Sequence, residues 1–179
     1  MSNKKGLAMP LHLACRKDES NPKYNYIYFI DGFAYVTNGH LLVKQSVYYM
    51  DVADRHLLDD KEMHMDCFKE LCKCQSGRVT EKGIETTNAN GHTAFFPFSQ
   101  KVIKPEFEKV IADLEDDDGN NDLKMKKIDP KLIETATKCL CNEYNNLFFT
   151  FTFIKSKNAI KVTIEDAQDQ LAIVMTYYD

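Results

Sequence analysis

Through the first part of the chain, apolar and polar residues alternate in short runs separated by turn residues. Leu11 to Cys15 and Tyr24 to Ile30 follow this two-residue period and predict strands, and Asp31-Gly32 predicts a hairpin turn. Phe33 to Thr37 reads as the next strand, and Asn38-Gly39 as a second turn before Leu41 to Val47, which makes a β-meander. After a polar stretch containing Asp51, Asp54, Asp59, Asp60 and Lys61, the period changes. Met65, Phe68, Leu71 and Cys72 fall at helical spacing with Asp66 as N-cap, and Gln75-Ser76-Gly77 stops that helix. Val79 to Thr87 and His92 to Phe98 predict a hairpin around Asn88-Ala89-Asn90-Gly91.

Between Lys104 and Leu114 the pattern is open to two readings. Phe107, Val110, Ile111 and Leu114 suit one helical face, whereas Pro105 suits an extended linker equally well. The acidic, turn-rich run from Glu115 to Asp122 predicts a solvated loop and a boundary. Asp129-Pro130, an N-cap followed by proline at the first helical position, predicts a helix through Leu132, Ile133, Ala136 and Leu140. Three β-rich runs close the chain: Leu147 to Ile154, Ala159 to Glu165 and Leu171 to Tyr177, with turns at 156–158 and 167–169. This order predicts an α+β fold, antiparallel sheets with a few helices packed on one side, rather than an alternating α/β fold.

With 179 residues, 44% of them hydrophobic, the chain holds enough apolar material for one core. Its N-terminus, Met1-Ser2-Asn3-Lys4-Lys5-Gly6, has no signal-peptide pattern, and no apolar run approaches the roughly 20 residues of a membrane span. The expectation is a cytoplasmic protein with reduced cysteines and no membrane partner. A net charge of -4 argues against coating nucleic acid through bulk positive charge, so any DNA contact must come from a local basic face.

The segment Phe33-Ala34-Tyr35-Val36-Thr37-Asn38-Gly39-His40-Leu41-Leu42-Val43 resembles the Ala-Thr-Asp-Gly-His-Arg-Leu signature in the middle domain of the bacterial DNA polymerase III beta sliding clamp. The order of later features is similar too. Lys104-Pro105-Glu106-Phe107-Glu108-Lys109-Val110-Ile111 resembles the family's interdomain connector, and Ala172-Ile173-Val174-Met175 resembles its closing Val-Met strand. On this resemblance, residues 1–112 form a clamp-like domain, 113–123 an acidic loop or linker, and 124–179 a helix with three strands of a clamp half-domain, which either stands beside the first domain or completes its sheet as one unit. Leu41 stands where the family has arginine, Asn38 replaces its aspartate, and Thr176-Tyr177 replaces its terminal Pro-Met.

The resemblance implies a DNA-tethering, processivity-type protein without enzymatic activity or cofactor. It implies an apolar pocket for peptide motifs of replication or repair proteins, walled by Thr37, Gly39, His40, Leu41 and Leu42, by Pro105, Lys109 and Val110, and by Val174 and Met175. From spacing alone the same residues read as a hairpin turn and ordinary core. The resemblance also implies helices that touch duplex phosphates, with Lys69, Lys73 and Arg78 at the first and Lys127, Lys131 and Lys138 at the second. A homo-oligomer is expected if the protein encircles DNA. The alternatives are an adaptor or decoy that keeps the pocket and ignores DNA, and, ranked lower, a metal-dependent enzyme or zinc-stabilised domain.

Cys67, Cys72 and Cys74 cluster in sequence with His64 near them, and Cys139 and Cys141 form a second group, but no Cys-x-x-Cys pair occurs, and burial as small hydrophobes explains them better than zinc. The sequence has no Walker-type phosphate loop, no Gly-x-Ser-x-Gly turn and no His-Glu-x-x-His motif. The carboxylates at Asp116 to Asp118 and at Glu165-Asp166 read as a solvated loop and a strand end.

Overall fold

The computed structural model describes residues 6–87, 90–100, 102–115, 127–140, 148–154, 158–165 and 167–177. In chain order the first half holds β1 (Tyr26–Ile30), β2 (Phe33–Thr37), β3 (Leu41–Ser46), β4 (Val52–Ala53), β5 (Lys61–His64) and α1 (Met65–Leu71). The rest holds β6 (Gly77–Val79), β7 (Gly83–Thr87), β8 (Thr93–Pro97), α2 (Phe107–Glu115), α3 (Pro130–Cys139), β9 (Phe149–Ile154), β10 (Ala159–Ile164) and β11 (Ala167–Met175). The fold is α+β.

Two tight turns set the register of the main sheet. Asp31 and Gly32 both take positive φ, 48° and 79°, the conformation a two-residue hairpin needs, and β1 folds back antiparallel on β2. At the second turn the Asn38 carboxamide oxygen accepts from the amides of His40 and Leu41, each at 2.9 Å, and β2 pairs with β3. The seven-stranded sheet then runs in the order β5-β1-β2-β3-β11-β10-β9, and β11 pairs with β3 through Leu42↔Ile173 and Leu41↔Val174. One sheet therefore includes strands from both sides of the acidic run, most of which lies outside the described residues. A smaller sheet has the order β4-β6-β7-β8, antiparallel except for the parallel β4–β6 pair.

Strand alternation divides the side chains of the main sheet between two faces. Ile27, Phe29, Ala34, Val36, Val43, Val162 and Val174 join a core shared with Phe68 and Leu71 of α1, Ala136 and Cys139 of α3, and Val79 and Ile84 of the small sheet. Tyr28, Tyr35, Leu42, Leu171 and Ile173 point the other way and pack with Phe107 and Ile111 of α2. α1 and α3 thus cover one face, while α2 and the connector before it cover the other.

Several expectations are corrected. Leu11–Ala14 is a 3-10 turn, because Leu11 and Ala14, three apart, must both reach the core against α1 and α3 while Leu13 stays outside. The predicted strand from Val79 to Thr87 is two strands, reversed at Glu81-Lys82, where the Thr80 amide donates to the Gly83 carbonyl at 2.8 Å. The polar stretch after Asp51 contains β4, a 3-10 turn at Arg55–Leu58 and β5, an edge of the main sheet. α1 is capped by His64, whose ring nitrogen accepts from the Asp66 amide at 3.3 Å, and not by Asp66. The turn expected at 167–169 is instead the start of β11, which meets β10 with a register shift at Thr163/Ile164. The open segment is helical from Phe107, and α3 begins as predicted, with the Asp129 carboxylate accepting from the Lys131 amide at 2.9 Å.

Candidate functional site

The second hairpin carries Thr37 and His40 to one end of the main sheet. Gly39, at φ 90°, lies where an added Cβ would come within 3.5 Å of the Tyr24 hydroxyl, so this turn combines a left-handed backbone with a close neighbour. The Gly39 amide donates to the Thr37 hydroxyl at 3.1 Å, fixing the turn from inside. Beside it, the Met175 amide donates to the His40 carbonyl at 2.9 Å, so the end of β11 is bonded to the turn itself. The rings of His40 and Tyr177 lie 6.2 Å apart.

The third wall arrives from the connector. The Ser99 amide donates to the Glu62 carbonyl at 2.8 Å and the Val102 amide to the Glu62 carboxylate at 2.7 Å, which lays the chain along β5 before it turns into α2. Phe107 then inserts between Tyr28 and Tyr35, at ring-centroid distances of 5.4 and 5.1 Å, the latter pair stacked. The Tyr35 hydroxyl donates to the Glu108 carboxylate, which also meets the Lys44 ammonium at 3.2 Å. These contacts hold the Glu108 carboxyl below its ordinary range, the Tyr35 hydrogen bond being the larger cause.

Between these walls lies an open cleft of about 200 Å³. Thr37, Gly39, His40, Leu41 and Leu42 line it from the hairpin, Pro105 and Val110 from the connector and α2, and Met175 from β11. Val174 does not line it: it is fully buried on the opposite face, because in a strand only every second residue faces the same way. Lys109 does not line it either, and extends outward to pair with Glu106 at 3.1 Å. Ile173, Phe107, Lys23 and Tyr24 contribute in ways the sequence reading missed. The signal for Ile173 was present, since it lies two residues before Met175. Lys23 and Tyr24 lie in a 3-10 turn, Pro22–Asn25, where the pattern predicted a strand from Tyr24, and the Tyr28 hydroxyl donates to the Lys23 carbonyl at 2.9 Å.

The cleft combines an apolar floor with a few polar groups at its rim, and among the described residues no carboxylate side chain lines it. A larger hollow of about 410 Å³ between Lys73 and the β7–β8 hairpin is walled mainly by polar residues, including Thr86, Thr87, His92 and Thr93.

The predicted DNA-contacting residues are placed unevenly. Lys69, Lys73, Lys131 and Lys138 are exposed on or beside α1 and α3, which share one face of the sheet. Lys73 is paired with Glu70 at 2.6 Å and Lys138 with Glu134 at 2.5 Å. Arg78 belongs to β6 of the small sheet, where it pairs with Asp54 at 2.7 Å, and Lys127 lies ahead of α3 in a bridge with Tyr177. His12, in the 3-10 turn that touches both helices, has its pKa lowered by burial first and then by Lys69 and Lys73, against an opposing contribution from Glu70.

The cysteines behave as small hydrophobes. Cys139 is fully buried, and burial pushes the thiols of Cys72 and Cys139 up to about 12. Among the described residues no group of three or more His, Cys, Asp or Glu is arranged to hold a metal ion. Cys141 lies outside them. No helix among the described residues is long and apolar enough to cross a membrane.

No protein-family model matches the chain, and no curated protein sequence does. Among solved structures, the DNA polymerase III subunit beta from Pseudomonas aeruginosa is similar over 94% of this chain and 62% of that one, at 14% identity and a TM-score of 0.48. A DNA polymerase sliding clamp from Pseudomonas aeruginosa, solved with a ligand, is similar over 98% of this chain and 50% of that one, at 15% identity and a TM-score of 0.37. The chain thus spans between half and about three fifths of the length of those clamp chains.

Proposed function

We propose that this protein is a non-enzymatic, clamp-type binding protein that captures a short apolar peptide segment of a partner in the cleft between the β2–β3 turn, α2 and the end of β11. One observation carries this reading: residues of three stretches remote in sequence, Thr37, His40 and Leu42 of the hairpin, Pro105, Phe107 and Val110 of the connector and α2, and Ile173 and Met175 of β11, wall a single apolar cleft. They are also the segments whose residues resemble the clamp family's signature, connector and closing strand. Met175 gives the cleft an adaptable apolar wall, while Thr37 and His40 offer oriented polar contacts for a peptide main chain.

Titration of a labelled Leu-rich peptide against the protein, followed by fluorescence anisotropy, tests the proposal. Saturable binding is expected, and Met175→Ala is expected to weaken it by roughly tenfold, the equivalent of losing about 1.4 kcal/mol of apolar contact. Binding unchanged in Met175→Ala and in His40→Ala would refute it.

A second reading, tethering to duplex DNA through the face of α1 and α3, is favoured by the exposed ammonium groups of Lys69, Lys73, Lys131 and Lys138 on or beside those helices. The glutamate partners of Lys73 and Lys138 weaken it. Affinity for duplex DNA that falls steeply with salt, and falls further in Lys69→Ala, would support this reading over an adaptor that ignores DNA.

A further inference from the structure

Beside the β1–β2 turn lies a second open hollow, of about 230 Å³. Strand β2 runs from Phe33, on this hollow, to Thr37, on the peptide cleft, so the two lie at opposite ends of one strand. The floor is apolar: Phe29 and Leu58 are 1% exposed and Val47 is 7% exposed. The rim carries charge of both signs, Arg55 and His56 against Asp59. Arg55–Leu58 is a 3-10 turn, and at about three residues per turn it sets Arg55 and Leu58 on one side and His56 and Asp59 on another. One short segment thus supplies part of the floor and both charges.

Backbone groups hold both charges in place. The Nε and Nη2 groups of Arg55 donate to the Met50 carbonyl at 3.0 and 2.8 Å, and the guanidinium lies 5.7 Å from the centre of the Tyr48 ring. Those two bonds use two of the roughly five N–H donors of a guanidinium. Asp54, the carboxylate next to Arg55 in sequence, is directed to Arg78 instead, at 2.7 Å. On the other side of the rim, one Asp59 carboxylate oxygen accepts from the Asp31 amide at 2.8 Å, which leaves acceptor capacity on a group that can take about four bonds.

We propose that this hollow binds a free apolar α-amino acid of the size of leucine, with its carboxylate on Arg55, its ammonium on Asp59 and its side chain on Phe29, Val47 and Leu58. Charge complementarity selects this class. A fatty acid would satisfy Arg55 but bring its chain against the Asp59 carboxylate, and an alkylamine would meet the Arg55 charge. A zwitterion places opposite charges next to each other and an apolar group beside them, which matches the rim and the floor together. A planar guanidinium already fixed by the backbone suits two-point capture of a carboxylate. At about 230 Å³ the hollow is smaller than the roughly 300 Å³ at which pockets for drug-sized ligands begin, so its occupant is small. The site does not depend on peptide capture, because an internal residue of a peptide carries neither terminal charge.

Amide chemical-shift titration of the full chain with L-leucine, N-acetyl-L-leucine and L-leucinamide tests the proposal. L-Leucine is expected to give saturating shifts at Gly32, Phe33, Leu58 and Asp59 with a dissociation constant of about 1 mM, in keeping with so small a ligand. The two blocked compounds, each lacking one charge, should bind at least about tenfold more weakly. Asp59→Asn keeps an oxygen acceptor for the Asp31 amide and is expected to weaken L-leucine at least about fivefold while leaving N-acetyl-L-leucine no weaker. Arg55→Gln should weaken both. No shifts with L-leucine up to about 20 mM would overturn the proposal, as would N-acetyl-L-leucine binding as tightly as L-leucine, or L-leucine binding unchanged in Asp59→Asn.

Discussion

The amide of Met175 donates to the carbonyl of His40 across 2.9 Å, joining the last residue of β11 to the turn between β2 and β3. This bond keeps two walls of the cleft at a fixed separation, and it uses the backbone of a residue whose side chain faces the cleft. Fold and site can therefore be separated at this one position. Met175→Ala keeps the donor and is expected to change unfolding free energy by less than about 1 kcal/mol, as for most partly exposed positions. Met175→Pro removes the donor and is expected to cost about 1–3 kcal/mol, the range for an unmade hydrogen bond. Urea unfolding of both variants checks the contrast.

The hold on α2 is tested at Glu108. Its carboxylate accepts from the Tyr35 hydroxyl and pairs with Lys44, and both stabilise the charged form. Because the folded pKa is depressed, this contribution is present above the unfolded value of about 4.3 and is lost as pH falls through the folded pKa. Glu108→Gln and Tyr35→Phe are each expected to increase amide exchange along α2 at neutral pH. Below about pH 4 the difference from wild type should narrow as the native carboxylate protonates. Equal exchange in all three proteins at neutral pH would show that Phe107 and Ile111 hold the helix without this contact.

His12 supplies a second pH signature with a readable cause. Burial is the first cause of its lowered pKa; Lys69 and Lys73 lower it further, Glu70 opposes them, and the Cys72 thiol lies 3.9 Å from its ring nitrogen. A depressed folded pKa means that stability is fully present above the unfolded value of about 6.5 and declines as pH falls toward the folded value. The wild type is therefore expected to lose urea resistance between pH 7.5 and 5.5, and His12→Asn to lose less. If duplex DNA lies on this face, its phosphates should raise the His12 pKa, measurable from the ring-proton shifts. A His12 titration unchanged by saturating DNA would remove this face from the DNA reading.

The parts of the fold governed by local pattern were legible in the sequence. The Asp31-Gly32 and Asn38-Gly39 turns, β2, and the cap and start of α3 follow from neighbouring residues and stand where the pattern places them. The failures share a physical cause. Leu11–Ala14 looks extended until α1 and α3 require two of its residues inward, and β5 is nearly all polar or charged yet sits in the sheet because its buried Glu62 accepts from the amides of Ser99 and Val102, remote in sequence. At the cleft, the three contributing segments were identifiable, but the choice between Ile173 and Val174 depends on which face β11 presents once it pairs with β3. Lys23 and Tyr24 were missed because the pattern predicted a strand from Tyr24 where a 3-10 turn, Pro22–Asn25, forms.

The central claim is that an apolar peptide seats where the β2–β3 turn, α2 and the end of β11 meet, and amide chemical-shift mapping during titration with a Leu-rich peptide tests it most directly. Saturating shifts are expected at Thr37–Leu42, Phe107–Val110 and Ile173–Met175, with β6, β7 and β9 unmoved. Shifts clustered on the small sheet, or none at saturating peptide, would contradict the account.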